Sequence, residues 1–274
     1  MREMGPVSVL LAKQRRFLAR YLRVMVSLAR QRDLLFVPEL IQRPEGNRVL
    51  VFSPHCDDDV IGLGGSMHLH AAEGHQVSVV YFTAPASGRS RTKRAEIRKE
   101  EARRATALLG EFRLIFLDRP EGNLKPSRAL VGRVAQILRD TSPDVLYLPW
   151  FLDNHADHLA VNELLVHASS HCRPACMVYA YEVWTPLLPN RLLDITDRAA
   201  LKKRALGEYA SQLAEGNLVE TILALNRYRS LTHRNGLGYA EAFLRVGLGE
   251  YVRLVSACRE PSILRGAREP TCFI

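Results

Sequence analysis

Residues 53–65 read SPHCDDDVIGLGG. A histidine and a cysteine stand before three consecutive carboxylates, and the chain then turns glycine-rich. Like charges this close repel one another unless something compensates them. About a hundred residues later Asp153-Asn154-His155-Ala156-Asp157-His158 supplies a second cluster of imidazoles and carboxylates. Each cluster directly follows a short apolar run, RVLVFS at 48–53 and DVLYLPW at 144–150. A cation removes the repulsion. His55 and Asp58 are three apart in a turn and can converge on one metal, and His158 can complete a set of two imidazoles and one carboxylate. That set suits a catalytic Zn²⁺ with room for water, and it also suits Fe²⁺. Asp57, beside such a site, can take a proton from water prepared there. His155 can donate to a developing oxyanion. Asp157 can hold His155 or His158 in orientation, and Asp59 opens the following helix, where a carboxylate is favoured. The GLGG at 62–65 is not a dinucleotide fingerprint, because its spacing is wrong and acids occupy the first turn.

The elements that must position these groups follow from periodicity. RVLVFS is a buried parallel strand. A helix begins near Val60 and ends at Gly74, and QVSVVYFTA at 76–84 is the next strand, which makes a βαβ unit. Residues 88–110 form a charged loop and a long helix. FRLIFLD at 112–118 is a strand, residues 128–143 a helix stopped by Pro143, DVLYLPW a strand and ACMVYAYEVW at 175–184 another. Later helices are expected at KKRALGEYASQL and at 218–229. The fold class is therefore α/β, a Rossmann-like three-layer sandwich with a mostly parallel sheet. In such a sheet, ligands bind beyond the carboxyl ends of the strands, where both clusters sit.

Composition bounds the rest. The chain has 274 residues, 47% hydrophobic and 24% charged, which describes a globular protein. No apolar run reaches the length of a membrane span, and no signal-peptide pattern is present, so a cytoplasmic location is expected. The five cysteines are odd in number and do not form a disulfide framework or a Cys-only zinc site. Residues 8–31 carry apolar positions at helical spacing with Arg and Lys on the other face. An amphipathic helix packed on the body is expected, with a membrane-surface helix as the alternative. The net charge of +9 reads as a solubilising surface. No basic segment is interleaved with aromatics, so no nucleic-acid partner is expected.

The two clusters together resemble the paired signatures of the LmbE-like deacetylases, the superfamily that includes N-acetylglucosaminyl-phosphatidylinositol de-N-acetylase. Arg98, Glu101, Ala105, Leu109 and Gly110 match a weaker family pattern along one helix. The resemblance covers about residues 48–240. It implies zinc-dependent hydrolysis of an N-acetyl group on an amino sugar or glycoconjugate. His55, Asp58 and His158 would be the metal ligands, Asp57 the general base and then the acid for the leaving amine, and His155 the oxyanion stabiliser. Two departures stand out: Cys56 replaces the usual proline, and Asp59 the usual glutamate. Residues 48–274 are expected to form a single domain of this type, with 1–47 as a helical extension on it.

Substrate contacts are less defined. Arg89 and Arg91, in the loop after the second strand, can bind an anionic group, and Arg98 lies further along the same helix. Tyr181 and Trp184 near a strand end can stack on a sugar face or serve as core. A homo-oligomer is the expected assembly, which the sequence does not itself show. The alternatives are a metal-dependent hydrolase of another amide or of a phosphoester, and a catalytically silent carbohydrate- or nucleotide-binding module.

Overall fold

A computed structural model describes residues 37–85, 91–213 and 216–258. The helix expected at 8–31 lies outside the described residues. Eight strands form one sheet: β1 (Glu39–Ile41), β2 (Arg48–Ser53), β3 (Gln76–Ala84), β4 (Arg113–Pro120), β5 (Val145–Pro149), β6 (Met177–Tyr181), β7 (Arg191–Asp194) and β8 (Ala240–Gly247). Their order is β1-β7-β8-β6-β5-β2-β3-β4. Every pairing is parallel except the two made by β8, which runs antiparallel to β6 and β7.

The strand sequences alternate between two cores. Leu50 and Phe52 of β2, Val80 and Phe82 of β3 and Leu146 and Leu148 of β5 enter one cluster, with helices α3 (Arg128–Thr141), α4 (Ala156–Ala168) and α9 (Leu248–Ala257). Val49, Val51, Val79, Tyr81, Val145 and Tyr147 face the other, with α1 (Asp58–Ala72), α2 (Arg91–Leu109), α5 (Ala199–Leu206) and α7 (Leu218–Arg229). Burial on both faces is why these strands read as continuous apolar runs. The short helices α6 (Ala210–Leu213) and α8 (Leu231–Arg234) and a 3-10 turn at Thr196–Arg198 complete the described elements. β1 corrects one expectation. Residues 39–41, assigned from sequence to a helical extension, add an edge strand that pairs with β7.

The chain passes from β2 to β3 and β4 on one side, then returns to β5 on the other side of β2. That reversal opens a crevice between the carboxyl ends of β2 and β5, the usual place for a ligand in an open sheet. The glycines of α1 have a packing role beside it. A Cβ on Gly62 would overlap the Tyr181 ring, and one on Gly65 would overlap Ile195. α1 is also fastened to β8 by the buried Glu241 carboxylate, which accepts from Gly65 N and Ser66 N at 2.8 Å and from Lys202 Nζ at 2.7 Å.

One buried histidine predicts how acid affects the fold. His70 lies in the core, with Nε2 2.9 Å from Tyr147 Oη and Nδ1 2.9 Å from His75 Nδ1. Burial, then the charge of His75, pushes its pKa from 6.5 down to about 3. The unfolded chain therefore binds a proton that the folded chain refuses. Stability from this group is fully present above about pH 6.5 and is lost as pH falls toward 3. His70→Gln protein should lose about 2 kcal/mol less than the parent between pH 7 and pH 5 in urea denaturation. Parallel pH profiles for the two proteins would contradict this.

Candidate active site

The loop after β2 is folded by its own side chains. Ser53 Oγ donates to His55 O at 2.6 Å and accepts from Asp59 N at 3.0 Å, while Thr83 Oγ1 donates to Pro54 O at 2.8 Å. Asp57 caps α1, so Asp58 and Asp59 form its first turn. The loop after β5 is arranged similarly. Asp153 Oδ1 accepts from His155 N at 3.0 Å, and α4 then carries Asp157 and His158 inward.

The two loops meet. Asp58 Oδ2 lies 2.9 Å from His55 Nδ1 and 3.2 Å from His158 Nε2, and those two nitrogens are 3.3 Å apart. Three ligands of one tetrahedral zinc, at bonds of about 2.0–2.1 Å, stand about 3.3 Å from one another. The donor set, two imidazoles and a carboxylate, is also chemically right for a divalent cation. The imidazoles of His55, His155 and His158 form an overlapping group, with their ligand atoms within 4.8 Å of one another. His155 has its Nδ1 committed, because it accepts from Asp157 N at 3.1 Å. Its neutral ring therefore carries the proton on Nε2, which makes it a donor rather than a ligand. That tautomer favours Asp58 as the third ligand.

Electrostatics follows from burial and proximity. Burial raises the Asp58 pKa, but the His158 and His55 charges outweigh it and hold the carboxyl well below the usual range. The same pairing outweighs burial at the imidazoles, lifting His158 to about 9 and His55 well above 6.5. Burial, then the Asp58 charge, pushes Asp57 up to about 6. Burial also pushes Asp59 up to about 7, and its Oδ2 accepts from Tyr81 Oη at 2.7 Å. His155 is lowered by burial and by the two neighbouring histidines.

Several sequence expectations need correction. Asp157 holds His155 only through its backbone N–H, and its carboxylate orients His55, not His158: Oδ2 lies 3.2 Å from His55 Nε2 and accepts from Gly122 N at 2.6 Å, while Oδ1 accepts from Leu124 N at 2.9 Å. Tyr181 offers no sugar platform, because it is fully buried with its hydroxyl on Phe52 O at 2.8 Å. Trp184 is 57% exposed, and its backbone N–H donates to Asp153 Oδ2 at 3.0 Å, which puts it beside the second loop. Arg98 is already engaged, with Glu121 at 2.8 Å and with Gln212 Oε1 at 3.0 Å. The side chains of Arg89 and Arg91 lie outside what is described. Cys56 is a buried thiol within the core cluster.

Gln212 carries no signal in the sequence. Arg98 can only donate, so it fixes Oε1 toward itself and turns Nε2 to Asp57 Oδ2 at 3.3 Å. Helix α6, which bears Gln212, is held by Glu101, whose carboxylate accepts from Ser211 N at 2.8 Å and from Ser211 Oγ at 2.6 Å. A cleft of about 740 Å³, lined by Arg48, His75 and Arg113 among others, lies at the opposite edge of the sheet and contains none of these residues.

The match to known proteins runs through both loops. The family model described as PIG-L: GlcNAc-PI de-N-acetylase matches residues 50–169. Over that stretch the chain resembles the PIG-L/LmbE-like deacetylase superfamily. A conserved protein of Thermus thermophilus superposes with a TM-score of 0.62 at 28% identity, over 72% of this chain and 93% of that one. Diacetylchitobiose deacetylase of Thermococcus kodakarensis is 26% identical over 61% of this chain and 71% of its own length. GalB, the 4-carboxy-2-hydroxymuconate hydratase of Pseudomonas putida, superposes with a TM-score of 0.63 at 25% identity, over 72% of this chain and 95% of that one. The site geometry is that of a metal-dependent hydrolase of the PIG-L/LmbE type. Among the described residues no helix is long and apolar enough to cross a membrane.

Proposed function

We propose that this PIG-L/LmbE-type protein is a zinc-dependent hydrolase that removes an N-acetyl group from an amino sugar or an N-acetylglucosamine-containing glycoconjugate. The observation that carries the reading is the convergence of His55, Asp58 and His158 at 2.9–3.3 Å beside the buried carboxylate of Asp57. The family description and the diacetylchitobiose deacetylase relative support the N-acetyl sugar class.

His55, Asp58 and His158 would hold the ion, which supplies a Lewis acid that polarises an amide carbonyl and acidifies water at neutral pH. Asp157 sets the His55 tautomer: by accepting from Nε2 it leaves the Nδ1 lone pair facing Asp58 and His158. Asp57 takes the proton of the attacking water and later delivers it to the leaving amine. Its Oδ2 is held by Gln212, which leaves the second oxygen for that proton. His155 donates from Nε2 to the oxyanion as the carbonyl carbon becomes tetrahedral. Arg98 orients Gln212 and acts on the reaction through it. Trp184 offers an exposed aromatic face at the rim for a sugar ring.

Gln212→Ala should keep zinc content and KM and lower kcat by about tenfold, because the base loses its orienting donor. Gln212→Glu, isosteric but acceptor-only, should lose more by placing a second carboxylate against Asp57. Unchanged kcat in both variants would remove Gln212 from the account.

The reaction itself is tested by incubating zinc-loaded protein with N-acetylglucosamine conjugates and quantifying acetate and free amine. The reading predicts equal amounts of both. A hydratase, as GalB is, adds water without a leaving group, so it would release neither.

A further inference from the structure

The described surface has an unpartnered apolar groove away from the metal-site loops. It encloses about 310 Å³ and is lined by Pro38, Leu188, Leu192, Tyr228, Leu231 and Thr232 among others. Its rim is unusually apolar for a surface: Tyr228 is 61% and Leu231 51% exposed, and Val37, 81% exposed, is the neighbour of Pro38. Exposed apolar side chains gathered round one groove offer a surface that a further apolar segment can cover. Arg229 closes one end, where it ion-pairs with Glu182 and donates to Leu187 O at 2.9 Å.

Residues 1–36, outside the described residues, connect to the chain at this groove, since Pro38 lines it and Val37 directly precedes Pro38. The 24 positions from 8 to 31 include Leu11, Leu18, Leu22 and Met25 on one helical stripe and Phe17, Tyr21, Val24 and Leu28 beside it. As a helix they would span about 36 Å. The five residues 32–36 reach at most about 17 Å, so the stripe cannot travel far from Val37. A tether this short gives an effective concentration of about millimolar, well above that of a second copy in dilute solution.

We propose that residues 8–31 dock as an amphipathic helix in this groove, covering Tyr228 and Leu231 with their apolar stripe and turning Lys13, Arg16, Arg20 and Arg23 outward. The inference goes beyond the catalytic reading and does not depend on it.

Hydrogen exchange of the full chain, read by mass spectrometry, tests it. Peptides from 8–31 should be protected to the same degree at low and high protein concentration. In the double variant Tyr228→Glu, Leu231→Glu they should exchange at least about tenfold faster, while peptides of β5 and β6 are unchanged. The reciprocal variant Leu18→Asp, Leu22→Asp should speed exchange at 228–234. Four results would overturn the proposal: no protection of 8–31 in the parent, protection untouched by the groove variant, protection that grows with concentration, as a second copy would give, or protection that appears only with vesicles containing anionic lipid.

Discussion

Asp57→Asn protein is expected to bind zinc as the parent does and to lose about a thousandfold in turnover, within the range for removing a general base. The substitution is isosteric. Asn can still accept the Gln212 hydrogen bond on Oδ1, so the loop should keep its shape. The amide cannot take a proton from water or return one to the amine. The relevant readouts are zinc content by elemental analysis and initial rate on the same preparation. Metal-loaded Asp57→Asn protein turning over at the parent rate would refute the base assignment. Loss of zinc instead would mean that Asp57 belongs among the ligands.

His158→Ala and Asp58→Ala should each weaken zinc binding by about a thousandfold, more than the ten- to hundredfold typical of outer partners. The cause is geometric. Asp58 Oδ2 touches both imidazoles, at 2.9 and 3.2 Å, so removing either partner leaves two donors where the cation needs three. His155→Ala should behave differently, because His155 Nδ1 is already used by Asp157 N. It should keep zinc and lose activity. Competition with a chelator of known affinity reads all three variants. Tight zinc in Asp58→Ala together with weak zinc in His155→Ala would move the third ligand to His155.

Much of this site was legible in the sequence because the chemistry sits in two short runs, each just past a recognisable strand. A run such as RVLVFS cannot bury both faces except in the middle of a sheet, and the structure pairs β2 with both β3 and β5. Hence the residues after Ser53 and after Pro149 had to share an edge. What the sequence hid depends on contacts between distant positions. Gln212 meets Asp57 across 155 positions and sits on a four-residue helix with no periodicity to announce it. Sequence proximity finds the backbone contact of Asp157 with His155 but not the partner of its carboxylate, because the ring that group meets, His55, lies across the crevice. Tyr181 lies near a strand end, as a rim residue would, but its ring packs in the core. The strand ends at Tyr181 itself, still inside the core. The edge strand β1 and its neighbour β7 are three and four residues long, too short for alternation to be visible.

The central claim is that one cation held by His55, Asp58 and His158 makes this chain an amide hydrolase. It is tested most directly by stripping the protein with a chelator, restoring zinc in steps, and measuring acetate release from an N-acetylglucosamine conjugate at each occupancy. The account predicts no release from stripped protein and a linear rise that ends at one zinc per chain. Equal release from the stripped protein, or none at full occupancy across the conjugates, would contradict it.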